Sequence, residues 1–427
     1  MSMYQLTIGL SRHDSFRLAK RPARFVRHAE FSAVSKWLTR TVRQSIHHVK
    51  SEPENKDAVL QREWSGLKLW RSADLDRRRT WGEKEPVEDT SGNNLKTAAL
   101  EDTLAGCALS VLRAAEPKDK IRLTHRAWEA FRAGQLEVGI LDPKDVPFRP
   151  SRPKNPKLVP PREVPKPKES SLPLNAYMLH NLAHIELNAI DLAWDTVARF
   201  SALGLPKEFY SDFAHVADDE SRHLSWCLQR LEELGHSYGD MVAHDLLWEC
   251  AQISSDDLGW RMCLVPMSQE ARGLDAGPRL VEKMVGWGDN RSSAIVEQIS
   301  IEEKAHVAVG VAWFNRMCEA LDQEPEVEFR DTMGRLCPDL LTGFFNHEAR
   351  EEVGLHRSWY DLKFWPENEA SAVAASSGLI PEKPGKRTAP TAPPLSAPQR
   401  LTTGELDRLR NRLAFVVGVE ASRANSC

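Results

Sequence analysis

No apolar run in this sequence approaches the roughly 18 residues that a membrane-spanning helix needs, so no span is expected. The seven cysteines, at 107, 227, 250, 263, 318, 337 and 427, form no close pair and no Cys-x-x-Cys. That argues against a disulfide framework and reads as reduced thiols in a cytosol-like compartment. Strong charge of one sign is also missing. With 57 Lys and Arg against 61 Asp and Glu, the net charge is −4 over 427 residues, which argues against a protein that binds nucleic acid by its overall field. A local nucleic-acid contact stays open as an alternative. Apolar content of 41% supports a substantial core, larger than one bundle of about 200 residues uses, so additional elements must pack around it.

Against that background one pattern occurs twice in the second half of the chain. A glutamate is followed by Glu-x-x-His, first as Glu186, Glu220 and His223, then as Glu270, Glu303 and His306. The Glu-to-Glu gaps are 34 and 33 residues and the copies are offset by 84 and 83. Each gap suits one helix, a turn and part of the next helix. Within Glu-x-x-His the i, i+3 spacing puts carboxylate and imidazole on one helix face, so four inward-facing helices bring four carboxylates and two imidazoles to one point. This is the ligand arrangement of di-iron and di-manganese carboxylate bundles. Charge supports it: four carboxylates carry −4, which two divalent cations cancel and which a buried, metal-free cluster would hold only by retaining protons. One Glu-x-x-His on a solvated helix face is a weak signal, whereas two copies with matched upstream glutamates are not.

Helical spacing surrounds each candidate ligand. The first helix is expected over 174–203, ending at the Gly204 to Pro206 breaker, and the second over 207–234, closed by Gly235. The third is expected over 238–274, with a kink at Pro266 one turn before Glu270, and the fourth over 294–321. His180 and His184 form a tempting i, i+4 pair, but His184 points about 200° away from Glu186 around the helix. Both are expected on the surface or behind the ligands. Asp219 and Glu302 precede the proposed ligands by one position and diverge from them by about 100°, which suits solvent-facing or supporting positions.

The rest of the chain divides by composition. Residues 1–94 are a basic extension, partly disordered or targeting, whose first 50 residues hold ten Lys or Arg against Asp14 and Glu30. Residues 31–49 fit a basic amphipathic helix, as either a mitochondrial targeting segment or a basic arm, so the mitochondrial matrix stands beside the cytoplasm as the expected compartment. The stretch with Trp64, Trp70 and Trp81 fits neither template. Residues 95–140 read as accessory helices. Ten prolines between 141 and 173 favour an extended strap along the bundle, with a peptide-recognition ligand as the alternative. The bundle with a following lid helix occupies 174–365, a linker expected to be disordered spans 366–400, and an amphipathic helix over 401–427 starts at a capping box, Thr402-Thr-Gly-Glu405.

Several stretches resemble a known family. They are His184-Ile-Glu-Leu-Asn-Ala-Ile-Asp-Leu192, Asp219-Glu-Ser-Arg-His223, Glu270-Ala-Arg-Gly-Leu-Asp275, Glu303-Lys-Ala-His-Val-Ala-Val-Gly310 and Phe345-Asn-His-Glu-Ala-Arg350. Together with Leu158-Val-Pro-Pro-Arg-Glu-Val-Pro165 they are similar to the ferritin-like family catalogued as domain of unknown function 455. The resemblance implies an all-α, ferritin-like four-helix bundle with additional N- and C-terminal helices, and a dinuclear metal site at the six positions above. At fold level it is similar to tRNA-modifying di-iron hydroxylases. No reaction comes with the family.

The expected protein is thus a di-iron, or Fe/Mn, oxidoreductase that activates O2 to hydroxylate or desaturate an organic substrate, a small molecule or nucleoside, with electrons from a donor protein. By resemblance to di-iron carboxylate sites, Glu220 and Glu303 are the bridging, catalytic carboxylates, Glu186 and Glu270 are terminal, and His223 and His306 complete the shells. Oxygen and imidazole ligands suit two Fe ions, or Mn. An iron-handling ferroxidase and a non-catalytic, metal-stabilised scaffold are the competing readings. Asn346, Glu348 and Arg350 are candidates for a lid or substrate clamp over the open end of the bundle, against plain packing.

Overall fold

The computed structural model describes residues 63–82 and 100–377, and among them the chain is helical with no β-strand beyond two isolated bridges. Four long segments form the bundle. Helix α4 (Leu174–Arg199) stops at a short 3-10 turn, and Gly204, at φ +60°, turns the chain into α5 (Lys207–Glu233), which starts after Pro206. A left-handed residue at that point is cheap only for glycine. Helix α4 is buried on nearly every face, as expected of a central helix rather than a surface one. Its partner α5 lies against it along most of its length.

The third segment is broken where a continuous helix was expected. It comprises α6 (Leu246–Ala251), α7 (Leu258–Leu264), a π-helical turn (Val265–Glu270) and α8 (Ala271–Gly286). Asp257 caps α7 through the Trp260 amide. Pro266 cannot donate to an α-helical ladder, and the wider π turn absorbs the misfit immediately before Glu270. Helix α9 (Asn290–Ala320), capped by Asp289, passes close to this turn at Gly310. A Cβ there would stand 2.5 Å from the Pro266 Cβ. The glycine is therefore what lets the π turn lie against α9.

Accessory elements close the sides. Helix α1 (Ser65–Ser72) packs on α9, and the pair α2 (Leu104–Arg113) and α3 (Pro117–Arg132) packs on α4 and α5. The proline-rich segment runs over α4 with little regular structure: Arg152 bonds Asn188 at 2.7 Å and also reaches Asp191, and Tyr177 donates to the Pro165 carbonyl at 3.0 Å. Asp191 also holds the fully buried Lys120 at 2.5 Å. After α9 come α10 (Pro325–Leu336), α11 (His347–Glu352), α12 (Arg357–Tyr360) and α13 (Glu367–Ser377), the last lying where a linker was expected. No described helix is long and apolar enough to cross a membrane. The amphipathic helix expected over 31–49, the chain after 377 and the helix expected over 401–427 lie outside the described residues.

Candidate metal centre

The bundle brings the predicted ligands to its interior. Glu186 comes from α4, Glu220 and His223 from α5, Glu270 from the end of the π turn, and Glu303 and His306 from α9. Ligand atoms of Glu186, Glu220, His223 and Glu303 all lie within 4.8 Å of one another, and all four residues are buried. His223 Nδ1 faces Glu220 Oε2 at 3.3 Å and Glu186 Oε2 at 3.4 Å; His306 Nδ1 faces Glu220 Oε1 at 2.8 Å and Glu303 Oε2 at 3.6 Å. Glu220 thus stands between the two imidazoles. Glu270 lies outside the tight group of four and lines the adjoining cavity with Glu186 and Glu303.

Hydrogen bonding leaves this cluster unfinished. Glu220 Oε1, Glu303 Oε2 and His306 Nδ1 are buried without a hydrogen-bond partner, although Glu220 Oε1 and His306 Nδ1 are only 2.8 Å apart. Native interiors rarely leave such atoms unsatisfied, and the cluster is compatible with a cation that would satisfy them. The electrostatics agree. Burial, then the Glu220 charge, pushes the Glu186 carboxyl well above its ordinary value, and burial, Glu220 and Glu303 do the same to Glu270. Glu303 is also raised, by burial and Glu220. Glu220 moves the other way: burial favours its neutral form, but the imidazoles of His306 and His223 hold it below the carboxylate range. Both histidines are pushed well above their ordinary value because surrounding carboxylates outweigh burial. Without metal, the cluster balances its charge by retaining protons.

The outward ring nitrogens settle which edge of each imidazole faces the carboxylates. His223 Nε2 lies 2.9 Å from Glu302 Oε2, and His306 Nε2 lies 3.3 Å from Asp219 Oδ2. Each acid immediately precedes a predicted glutamate ligand, and it serves the histidine of the opposite motif. Nε2–H donation to these acids leaves Nδ1 of each ring available inward, the second layer that metal-binding histidines ordinarily have. Arg222 joins the two acids, with Nη2 at 2.5 Å from Asp219 and 2.7 Å from Glu302.

A family model with the description "Protein of unknown function (DUF455)" matches residues 113–361. The chain belongs to this family. An uncharacterized protein of Haemophilus influenzae is 34% identical over 254 residues, 57% of this chain and 88% of the relative. A 3-demethoxyubiquinol 3-hydroxylase of Francisella philomiragia subsp. philomiragia is 32% identical over 98 residues, 22% of this chain and 44% of that protein. No solved structure matches. All six predicted ligands and both outer acids lie inside the family-matched stretch.

The other singled-out residues have definite places. His180 and His184 are buried rather than on the surface, and neither joins the tight cluster. His184 Nε2 donates to the His244 carbonyl at 2.9 Å and its Nδ1 accepts from the Tyr238 hydroxyl at 2.7 Å, while His180 Nε2 accepts from the Gly239 amide at 3.0 Å. Burial lowers them to about 3 and about 4, so both are uncharged at neutral pH. Asn346 caps α11 and bonds the Leu274 carbonyl, Glu348 is exposed, and buried Arg350 grips Asp275 on α8 at 2.8 and 2.7 Å. None of the three lines the cavity beside the cluster.

That cavity, about 70 Å³, is bounded by Glu186, Glu270 and Glu303 on one side and by Leu182, Ile185, Leu247, Val296 and Ile299 on others. Gly273 of α8 keeps it open to the carboxylates, since a Cβ there would come within 3.3 Å of Glu303 Cγ. Sequence reasoning missed Arg222 and Trp70. Trp70 donates to Asp219 Oδ2 at 2.7 Å from a segment that matched no template. The signal available for Arg222 was its position beside His223 in a motif whose acids need a counter-charge.

Proposed function

We propose that this protein is a dinuclear iron, or Fe/Mn, oxidase or oxygenase, in which Glu186, Glu220, His223, Glu270, Glu303 and His306 hold two metals and a substrate is hydroxylated or desaturated with O2. The observation that carries the reading is the set of unsatisfied, buried ligand atoms of Glu220, Glu303 and His306 at the centre of the bundle. Two redox-active metals held there would supply two of the four electrons that full reduction of O2 requires, the oxidised substrate supplying the other two. Glu220, placed between the imidazoles, is the candidate bridge, and Glu303 is the second. The four carboxylates of Glu186, Glu220, Glu270 and Glu303 would neutralise two divalent cations, while Glu302 and Asp219 hold the imidazole N–H groups so that Nδ1 faces inward.

The cavity supports an organic substrate or O2 approaching from the Glu186, Glu270 and Glu303 side, where apolar walls limit water. Its small volume suits O2 directly; a small-molecule or nucleoside substrate would need α8 or the π turn before it to move. The partial similarity to a protein named as a hydroxylase favours oxygenation over iron storage. A donor protein for the electrons is part of the proposal. The test is metal analysis of anaerobically purified full-length protein followed by a pulse of O2. Two Fe or Mn per chain, with O2 consumed in stoichiometric amount and a small oligomer, is the expected result. Zinc alone, or hundreds of irons in a large shell, would retire the reading.

A further inference from the structure

The six candidate ligands sit on α4, α5, the π turn and α9, yet the interactions that fix one of the two histidines do not end within the family-matched stretch. Helix α1 belongs to residues 63–82, which precede that stretch. It is anchored by buried Leu67 and by Arg71, which grips Asp212 of α5 at 2.7 Å. The anchoring places the Trp70 ring flat on His215, with centroids 3.8 Å apart at 13°, and its edge toward the His306 ring at 6.5 Å. In this position the indole N–H donates to Asp219 Oδ2 at 2.7 Å, the same oxygen that stands 3.3 Å from His306 Nε2. The other oxygen, Oδ1, takes Arg222 at 2.5 Å.

A carboxylate held through one oxygen, as Asp219 Oδ1 is by Arg222 with His215 Nε2 at 3.9 Å, can still swing about its side-chain torsions. Held on both, it offers its lone pairs in a fixed direction. We infer that Trp70 is a positioning residue of the metal centre: its indole N–H fixes Asp219, and through Asp219 the orientation of His306, so that one half of the site is completed by a segment outside the family-matched stretch. The His223 half differs. Its acid, Glu302, is held by Arg222 at 2.7 Å and by Gln298 at 2.7 Å, both within the matched stretch. The two metal positions should therefore respond differently to a change at residue 70. The inference rests on the proposed dinuclear site.

The test compares full-length wild type, Trp70→Phe, Asp219→Asn and the double variant. Phenylalanine keeps one ring on His215 and removes the donor together with the second indole ring, and Trp70→Tyr is carried in parallel in case Trp70→Phe does not fold. Each metal-free protein is titrated anaerobically with Co(II) in competition with a chelator, read by absorption. Loss of a supporting partner of a metal-bound histidine ordinarily costs 10- to 100-fold in affinity, so Trp70→Phe, acting one bond further out, is expected to weaken one Co(II) equivalent by about tenfold and leave the other unchanged. On the Asp219→Asn background the same substitution should add nothing, because its effect passes through that carboxylate. In metal-free protein the His306 Nε2–H resonance should exchange with water faster in Trp70→Phe than in wild type. Equal affinities in wild type and variant overturn the inference, as does equal weakening of both equivalents. If wild type binds no Co(II), the dinuclear reading fails, and the His306 resonance alone then decides whether Trp70 positions the ring: an unchanged exchange rate overturns it.

Discussion

Replacing Arg350 by Met separates a packing role from a lid role. The guanidinium is 2% exposed and makes two bonds to Asp275, which is fully buried, and it lies over the rings of Phe345 and Tyr360 at 4.9 and 4.4 Å. Removing one partner of a buried ion pair costs about 3–5 kcal/mol, because the remaining charge is stranded. Asp275 would not be wholly abandoned: Arg272 stands 3.3 Å away and the Asn346 amide donates at 2.9 Å. The lower end, about 3 kcal/mol, therefore applies, and methionine recovers part of the packing on the rings. At about 2–4 °C per kcal/mol for a body of this size, the melting temperature should fall by roughly 6–12 °C. Metal per folded molecule should stay at the wild-type level, since none of these groups touches the cluster. Combining Arg350→Met with Asp275→Asn should cost less than the sum of the single variants, because the second change removes the stranded charge. The assays are urea and thermal unfolding with metal content on the same preparation. An unchanged melting temperature, or strictly additive losses, would refute the reasoning, and uncoupled O2 consumption at wild-type stability would restore the lid.

Glu220→Ala and Glu303→Ala are each expected to lose or scramble both metals, and a full complement of two in either variant would sink the ligand assignment. Gly310→Val should cost about 1–3 kcal/mol through overpacking against Pro266 and displace the π turn that carries Glu270, seen as lower stability together with weakened metal binding. The pH dependence has a definite sign. Glu186, Glu270, Glu303 and both histidines have folded values raised above their ordinary 4.5 and 6.5, so the stability they contribute to metal-free protein is fully present below those values and is lost as pH rises through the raised ones. Metal-free protein should therefore begin to lose stability above about pH 4.5, through the three glutamates, and lose it more steeply above about pH 6.5, where the two histidines join. Metal affinity should rise over the same range with proton release, measurable by calorimetry in buffers of different ionisation enthalpy.

The bundle was legible in the sequence because the Gly204 to Pro206 breaker and Gly235 mark off the first two helices, and because the twofold spacing ties the four segments together. The break in the third segment was only half legible. Pro266 announced an interruption, but the π turn depends on Gly310 of α9, 44 positions away in sequence, making room for it. His180 and His184 illustrate a different limit. Helical phase set them off the ligand face, yet phase cannot tell an outer surface from a second buried face, and the Tyr238 and His244 partners that bury His184 come from 238–245, where the sequence predicts the start of the third helix and the chain forms a loop. Arg350 was singled out for its chemistry, while its partner, Asp275, was quoted only as part of a motif. Trp70 was beyond reach: its meaning lies in a contact across 149 positions to Asp219.

The exchanged acids have a consequence for how the site comes into being on a growing chain. His223 is 79 positions from Glu302, and His306 is 87 positions from Asp219. While only α4 and α5 have been synthesised, Glu186, Glu220 and His223 are present but His223 lacks Glu302, the acid that fixes its tautomer, and Asp219 lacks His306. A metal ion meeting the nascent chain at that stage finds three donors of undetermined orientation. Only once α9 has emerged do both rings receive their acids, so on the proposed dinuclear reading selection among competing cellular ions would fall to the chain with α9 in place rather than to its first-made half.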